Sequence, residues 1–493
     1  MNDDREIGLD PTDWNAFEAL GQRMVHDLRR QWETVRERPV WRPVDPALRA
    51  ALAAAPVPEE GQSADAVYDE FARTVARYPL GNTHPRFWGW VVGSGSPGGA
   101  LADLLASAMN PNASGLRSAA IDVEEQVLRW FGDLFDLPGA SGLLTSGGSM
   151  ANLLGMAVGL DARAGFDVAT EGLHAAPQPL TLYASRDTHS SVDKAARLLG
   201  LGTRALRKIA TDGDGRIDVA ALTDAIRADR AAGCRPFLLI GNAGTVGIGA
   251  TDPLDRLADV AAEEGMWFHV DGAFGAFAWL VESLRPALAG LQRADSLAFD
   301  PHKWLHAPME AGCLLVRDRA AHRRAFAVEA PYLKSIAGTA GEDGQRFADV
   351  GIQLTRGFRA LKLWFELKHH GLGVYRRLVA QNVAQARRLA ERVRGEPELE
   401  LMAPVPLNVV CLRYRPMGIP DSELDALNVA LLQRLHQSGV AVPSATTLAG
   451  GLALRVCITN HRTRRADVDQ FVDAVLEEGR ALGRARLTGV AVA

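Results

Sequence analysis

The segment FDPHKWLH, residues 299–306, places an aspartate, a histidine and a lysine directly after an apolar run. Lysine is rarely buried without a partner, because removing an ammonium group from water is energetically expensive. Lys303 therefore either extends its side chain to solvent or supplies a neutral amine that acts as a nucleophile. The second alternative requires other polar groups around the amine, and the ends of the other apolar runs can supply them.

Four more apolar runs end in polar or glycine-rich segments. They are GLL, followed by TSGGSMAN with Gly147, Gly148 and Ser149; LTLYAS, followed by RDTHSS with His189; FLLIG, followed by NAGTVG with Thr245; and MWFHV, followed by Asp271 and GAFG. In open α/β sheets, ligands bind beyond the carboxyl ends of the strands. We therefore expect these segments and Lys303 at one rim of a sheet.

The chemistry of these segments matches the parts of one cofactor. A glycine-serine turn that opens a helix offers N–H groups and a hydroxyl to a phosphate. Asp271 ends an apolar strand, so its carboxylate needs a cationic partner such as a protonated pyridine nitrogen. Lys303 can condense with an aldehyde, and His189 can lie on an aromatic ring. Together these groups predict pyridoxal 5'-phosphate (PLP).

The elements that must position these groups alternate between helix and strand from about residue 91 to 360. The helix ALTDAIRADRAAG precedes the strand FLLIG, and the helix LDRLADVAAEEG precedes the strand MWFHV. Fully apolar strands with short connections are typical of a parallel sheet that is covered on both faces. The sequence thus predicts an α/β fold, with a mainly parallel sheet in a PLP-binding large domain at 91–365.

Two flanking regions have a different pattern. Residues 1–90 are predicted to be helical, with apolar residues at helical spacing but too few for an independent core, so this segment should pack on another surface; the residues are Trp14, Phe17, Leu20, Met24 and Leu28. Residues 366–493 combine helices with the strands LNVVCLRY and LALRVCI. They predict a small C-terminal α+β domain.

Composition excludes several classes of partner. The 493 residues are 47% hydrophobic and 23% charged, with a net charge of -5, which argues against nucleic-acid or anionic-membrane partners. The four cysteines are widely spread, which favours a reducing cytoplasm. The first residues contain no apolar signal-peptide run, and we expect neither secretion nor a membrane span. GSGSPG, DGDGRID and the pair His302 and His306 are incomplete as dinucleotide, calcium and metal motifs, so no metal is expected.

Several motifs in order resemble one enzyme family. TSGGSMAN, DTHSSVDKAA, HVDGAFG, DPHKWL and FRALKLW lie between HPRFWGW and RVCITNHRT. They resemble the PLP-dependent group II amino-acid decarboxylases, the aromatic-L-amino-acid and glutamate decarboxylase group, which have fold type I of the aspartate aminotransferase superfamily. The resemblance implies a homodimer that converts an L-amino acid to its amine and carbon dioxide, with the N-terminal segment wrapped around the partner.

The resemblance also implies a role for each matching residue. Lys303 would carry PLP as a Schiff base, Asp271 would pair with the ring nitrogen, and His189 would stack on the ring. The remaining predicted cofactor contacts are the phosphate ligands Gly147, Gly148, Ser149, Asp300 and His302, together with Thr245 and Ala273 beside the cofactor. The segment HPRFWGWVVG would contact the substrate through Trp88, Trp90 and Gly93, which favours an aromatic amino acid; core packing is the alternative for each aromatic side chain.

One departure from the family pattern leaves the product open. The family's aromatic branch has a loop tyrosine that returns a proton to Cα, whereas SIAGTAGEDGQRFADVGIQLTRG contains none and has Phe347 or Val350 at that place. Val246 also replaces a threonine of the family. Amine formation remains the first expectation, because His189 or His306 can supply the proton. The alternatives are oxidative deamination to an aldehyde, an aminotransferase, and a catalytically silent PLP-binding protein.

Overall fold

The computed structural model of the chain describes residues 7–114, 117–328 and 346–488, with two β-sheets and helices around them. The α-helices are α1 (Trp14–Glu33), α2 (Pro46–Ala54), α3 (Ala64–Arg73), α4 (Pro97–Met109), α5 (Ala119–Leu134), α6 (Gly148–Arg163), α7 (Val168–Glu171), α8 (Ser191–Leu198), α9 (Val219–Ala231), α10 (Leu254–Glu263), α11 (Pro301–Trp304), α12 (Arg319–Phe326), α13 (Ala360–His370), α14 (Leu372–Gly395), α15 (Asp421–Gln437) and α16 (Arg465–Thr488). The strands are β1 (Phe87–Trp88), β2 (Ser141–Thr145), β3 (Leu180–Ser185), β4 (Leu206–Ile209), β5 (Arg235–Asn242), β6 (Trp267–Asp271), β7 (Ser296–Phe299), β8 (Gly312–Val316), β9 (Leu399–Leu401), β10 (Val409–Tyr414), β11 (Val442–Leu448) and β12 (Gly451–Cys457).

The larger sheet confirms the predicted α/β class. Its strand order is β2-β8-β7-β6-β5-β3-β4, and the five strands from β7 to β4 pair in parallel. Strand β8 is antiparallel to both of its neighbours, so the sheet is mixed at one end. Parallel strands bring their carboxyl ends to one edge. The segments that follow β3, β5, β6 and β7 therefore share that edge.

Helix α6 lies unusually close to this sheet because two of its residues have no side chain. A Cβ atom on Gly155 would stand 2.6 Å from His269 Cε1, and one on Gly159 would stand 2.8 Å from Trp267 Cδ1. Both distances are shorter than any real Cβ contact. The glycines thus set the depth at which α6 sits on β6, and with it the position of every polar residue in the first turns of α6.

The smaller sheet has the order β1-β11-β12-β10-β9, and β1 pairs in parallel with β11. The segment that precedes residue 90 therefore ends inside the sheet of the C-terminal domain. Helix α14 connects the two cores, because its first half packs in the large domain and its second half in the small one. The predicted boundary at 365 falls inside α13, and the structural transition between the domains lies along α14.

The N-terminal helices leave much of their apolar surface uncovered within the chain, as expected for a segment without its own core. Of the residues of α1, only Leu20 is buried. Trp14 is 61% exposed and Phe71 on α3 is 47% exposed. A groove of about 1120 Å³ lies along α1 and α3, with Met24, Leu28 and Phe71 among its lining residues.

A fully buried ion pair between Arg356 and Glu124 joins the segment around residue 356 to strand β2, which leads into the TSGGSMAN turn. Arg356 Nη1 donates to Glu124 Oε2 at 3.1 Å, and neither side chain has any exposed surface. Glu124 Oε1 also accepts from Leu144 N–H at 3.0 Å, and Arg356 Nη2 donates to Leu144 O at 2.9 Å. The pair therefore holds α5, β2 and the segment at 356 together.

We expect Glu124→Gln to lower the free energy of unfolding by about 3–5 kcal/mol, because it leaves the guanidinium buried without its carboxylate. Urea or thermal unfolding measures the loss, and the double variant Glu124→Leu/Arg356→Met should recover part of it. Arg227→Ala is the matched control, since its pair with Asp224 is 73% exposed on both sides. Equal stability of Glu124→Gln and Arg227→Ala would contradict this role.

Candidate active site

A cavity of about 330 Å³ lies at the edge where the carboxyl ends of the parallel strands meet. Its size is within the usual range for a small-molecule site. It is lined by Ser146, Gly147, Gly148, Ser149, Met150, Asn152, His189, Asp271, Ala273, Asp300, His302, Lys303 and Glu310. The structure thus brings together nine of the ten predicted cofactor-binding residues, from segments after β2, β3, β6 and β7.

Lys303 lies in the short helix α11, which begins at Pro301 directly after Asp300. Its Nζ atom is 2.9 Å from Asp300 Oδ2, and its side chain is 19% exposed. The lysine is therefore neither fully solvated nor buried alone; it has a carboxylate partner and still opens onto the cavity. The amine is thus held at the cavity by a neighbouring acid, and its role as a nucleophile stays a prediction.

The start of α6 forms one end of the cavity. The first N–H groups of a helix have no partner within the helix, so they are free for an anion. A Cβ atom on Gly148 would stand 2.9 Å from Asp300 Oδ2, which shows how closely the turn approaches the α11 segment. His302 borders the same end; its Nδ1 accepts from Ala311 N–H at 3.1 Å, and burial lowers the pKa of its imidazole.

This donor set fits a phosphate, with one reservation about Asp300. The helix N–H groups and the Ser149 hydroxyl suit an anion, and His302 Nε2, 3.7 Å from Asp300 Oδ2, borders the same space. Asp300 is 2% exposed and its Oδ1 atom is buried with no hydrogen-bond partner among the described residues. A carboxylate paired with Lys303 repels a phosphate, so Asp300 is better placed to hold the lysine than to bind the anion.

Asp271 and His189 form the opposite side of the cavity. Asp271 is 5% exposed; its Oδ1 accepts from Ala273 N–H at 3.0 Å and its Oδ2 from the Asn152 amide at 2.8 Å. His189 is open to the cavity, and its Nδ1 lies 2.8 Å from Ser191 Oγ. Partial desolvation lowers the pKa of His189, and the nearby charge of Asp271 opposes that shift. The pair can face a ring nitrogen and a ring face.

Four predicted residues lie outside the cavity lining. Trp88 is corrected to a core residue: it is 1% exposed, packs on Phe471 and donates from Nε1 to Thr463 Oγ1 at 3.2 Å. Thr245 is also buried, and its Oγ1 accepts from Ala250 N–H at 3.1 Å inside its own loop. In both cases the polar atom is used by the fold, by a distant partner for Trp88 and within its own loop for Thr245.

Trp90 and Gly93 stand closer to the site without lining it. Trp90 is 57% exposed with a positive φ of 50°, and its carbonyl accepts from Arg455 Nη1 at 3.0 Å. A Cβ atom on Gly93 would stand 1.8 Å from His302 O. Gly93 is therefore required for close packing on the α11 segment, and a contact of Trp90 or Gly93 with substrate stays a prediction.

The residues considered for proton return occupy different places. Residues 335–345 of the tyrosine-free loop lie outside the described residues. Phe347 is 1% exposed and lies 4.6 Å from the Arg356 guanidinium, and Val350 is 2% exposed. His306 is 2% exposed, and burial lowers its pKa to about 3. In this arrangement none of these three side chains lines the cavity, whereas His189 does.

Sequence reasoning missed several residues of the site. Asn152 lies within the quoted motif TSGGSMAN, one helical turn after Gly148, so helical spacing could have placed it on the same face. His269 is a polar residue inside the apolar run MWFHV, which is the signal of a buried hydrogen-bonded group. Glu310 and Ser191 carried no signal of this kind. Among the described residues, no group of three or more His, Cys, Asp and Glu side chains is arranged to hold a metal.

Comparison with known proteins decides the family. The conserved domain described as "Pyridoxal-dependent decarboxylase conserved domain" matches residues 46–415. The chain belongs to the pyridoxal-dependent decarboxylase family. It is accordingly a PLP-dependent carboxy-lyase, as the motif resemblance implied. No helix in the described part of the chain is long and apolar enough to cross a membrane.

Named relatives of this family member include enzymes with two kinds of product. An aromatic-L-amino-acid decarboxylase of Bacillus atrophaeus is 32% identical over 466 residues, 93% of this chain and 95% of the relative. A 4-hydroxyphenylacetaldehyde synthase of Rhodiola rosea is 27% identical over 491 residues, 96% of this chain and 97% of the relative. The solved structure of Oryza sativa TDC with PLP and tryptamine superposes with a TM-score of 0.89 at 27% identity, covering 96% of this chain and 100% of that one.

We expect Lys303→Ala to abolish the visible absorption of the purified decarboxylase, because Lys303 is the cavity's only amine among the described lining residues. Lys303→Arg is the matched variant: it keeps a cation beside Asp300 but cannot form a Schiff base. Both should fold and lack the visible band, and borohydride should fix no PLP to them. A reducible link in either variant would mean that another amine carries PLP.

Proposed function

We propose that this decarboxylase acts on an aromatic L-amino acid and releases its amine and carbon dioxide. The observation that carries the proposal is the joint presence, around one cavity, of Lys303, Asp271, His189 and the start of α6. Aromatic specificity is supported by the aromatic-L-amino-acid decarboxylase of Bacillus atrophaeus and by tryptamine in the Oryza sativa structure.

Each side chain has a task that follows from its position. Bound PLP supplies an electron-accepting ring for the bond between Cα and the carboxyl group. Asp271 keeps a proton at the ring nitrogen by accepting its hydrogen bond, which maintains the ring's capacity to accept electrons. Lys303 binds the aldehyde carbon, and the N–H groups of Gly148 and Ser149 bind the phosphate. The departing carboxylate loses its charge, so apolar surroundings favour its loss.

The return of a proton to Cα decides whether the product is an amine or an aldehyde. His189 is the imidazole that lines the cavity on the side of Asp271, so it is the chain's own candidate for holding the proton. The alternative is that dioxygen oxidises the decarboxylated substrate before a proton returns to Cα, which gives an aldehyde, ammonia and hydrogen peroxide. Slow proton return would favour this outcome. The absence of tyrosine from the loop that begins at Ser335 and the aldehyde-synthase relative support that alternative.

Product analysis under air tests both outcomes. With tyrosine, tryptophan, phenylalanine and dihydroxyphenylalanine, we expect amine equal to carbon dioxide and no peroxide. Asp271→Asn should retain PLP but lose on the order of 10²-fold or more in kcat, because a neutral amide does not hold the ring proton. Peroxide equal to carbon dioxide would establish the aldehyde reaction, and absence of carbon dioxide with all twenty amino acids would overturn decarboxylation of these substrates.

Two further properties complete the proposal. Uncovered apolar surface on α1 and α3 and the groove between them support a homodimer, in which the partner's equivalent segment covers them. Cys313, Cys411 and Cys457 are buried free thiols, and Cys234 is also free. Free thiols of this kind support a cytoplasmic location.

We expect Phe71→Asp to weaken the dimer, because it places a charge in the apolar groove. Sedimentation velocity over a concentration series should show monomer, and the lost burial should lower the midpoint of thermal unfolding. Met417→Asp is the matched control, since Met417 is 94% exposed in the C-terminal domain. An unchanged dimer in Phe71→Asp, or a wild-type monomer, would contradict the assignment of this surface.

A further inference from the structure

Asn152 connects the two acid-base groups on one side of the cavity. It lies in the second turn of α6 and is 1% exposed. Its amide nitrogen donates to Asp271 Oδ2 at 2.8 Å and to Ser191 Oγ at 3.0 Å. Its amide oxygen lies 3.0 Å from His269 Nε2. Both N–H groups and the oxygen of this side chain are therefore hydrogen-bonded.

The groups behind Asn152 leave one arrangement of protons. Indole N–H is a donor only, so Trp267 Nε1 donates to Ser296 Oγ at 2.8 Å. The Asp271 carboxylate can only accept, so the Asn152 NH2 group faces it and the Asn152 oxygen faces His269 Nε2. His269 Nε2 therefore carries the ring proton, and His269 Nδ1 accepts from the Ser296 hydroxyl at 2.8 Å. Burial lowers the pKa of His269 to about 4, so the ring is neutral at pH 7. His269 Nε2–H therefore donates to the Asn152 oxygen.

The same reasoning continues to His189. Because Ser191 Oγ accepts from Asn152, its own proton is free to go to His189 Nδ1, at 2.8 Å. The backbone N–H of Ser191 also points to this nitrogen, at 3.2 Å. His189 Nδ1 is thus an acceptor of two hydrogen bonds, and the proton of the neutral ring is on Nε2.

We propose that Asn152 is a positioning residue that sets Asp271 and His189 together: it holds the Asp271 carboxylate as an acceptor and, through Ser191, fixes His189 in its Nε2–H form. The Asp271 carboxylate determines which way the Asn152 amide faces, and the Nε2–H of His269, supported by Ser296 and Trp267, complements its oxygen. The part of this inference that concerns PLP rests on the proposed function, in which Asp271 meets the ring nitrogen and His189 the ring face. The tautomer of His189 is a property of the chain alone.

The ring nitrogens of His189 can be observed directly. In protein labelled with ¹⁵N-histidine, with the His189 signal identified by its absence from His189→Gln, we expect protonated Nε2 and unprotonated Nδ1, both with PLP and after its removal. Asn152→Asp tests the cause. Its carboxylate cannot donate to Ser191, so the Ser191 proton turns toward the new acid and His189 Nδ1 keeps only the backbone donor at 3.2 Å. We therefore expect a partial shift of the His189 tautomer toward Nδ1–H.

The same variant should bind PLP more weakly, because Asp271 loses a donor and gains a neighbouring carboxylate. Loss of a hydrogen bond to a charged group corresponds to a Kd increase of about 10- to 100-fold, measured by PLP fluorescence or absorbance titration. Asn428→Asp is the matched control: Asn428 is also fully buried and hydrogen-bonded, to Tyr414 and Leu424 in the small domain. It should lower thermal stability without changing the His189 tautomer or the Kd for PLP.

Two results would overturn the proposal. One is an Nδ1–H tautomer of His189 in the wild-type protein, which requires no variant to fold. The other is an Asn152→Asp protein that loses only thermal stability, as Asn428→Asp does. If Asn152→Asp does not fold, His269→Phe replaces it. An aromatic ring is kept, the donor to Asn152 is lost, and a smaller shift in the same direction is expected. Absence of decarboxylation would refute the proposed function and leave the tautomer result standing.

Discussion

The carboxylate of Asp271 lies at the end of β6 with almost no exposed surface, and it must be stabilised by hydrogen-bond donors. One donor is the backbone of the turn that follows the strand, and the other is Asn152 on α6. Helix α6 can supply that amide only because Gly155 and Gly159 let it lie directly on β6. The stabilisation of the Asp271 carboxylate at the end of β6 therefore depends on the two glycines that let α6 pack closely on that strand.

A second consequence is that the rim of the cavity is tied to parts of the chain far away in sequence. Gly93 packs against the carbonyl of His302, next to Lys303. Arg455 of the small domain donates to Gly247 O and Trp90 O, both at 3.0 Å, and so joins the segment after β1 to the loop after β5. Packing of the small domain thus determines the positions of the segments at Trp90 and Gly247.

The buried pair of Glu124 and Arg356 has a comparable effect on the other side of the site. It holds β2, which leads into Gly147, against the chain that follows the tyrosine-free loop. Phe347 packs on the same guanidinium. The end of that loop is consequently anchored in the protein core, although the sequence places Phe347 or Val350 at the position of the family's proton-donating tyrosine.

Most of the cofactor site was predictable from the sequence, because each residue follows an apolar strand and parallel strands end at a common edge. The fold class followed from the same pattern. Trp88 was not predictable in this way, because an aromatic residue beside a strand can face the cavity or the core with equal composition around it. The resemblance assigned Thr245 and Asp300 to the cofactor, and these roles stay predictions; in the structure Thr245 bonds within its own loop, and Asp300 lines the cavity paired with Lys303.

The sequence by itself determined which chemical groups are present and that they meet: lysine, aspartate, histidine and a glycine-rich helix start at successive strand ends. Only the tertiary structure decided how these groups are oriented and what stands behind them. Hydrogen-bond direction depends on partners that are more than 100 residues apart, such as Asn152 with Asp271 and His269. Local patterns carry no information about such pairs, because they arise when α6 packs on β6.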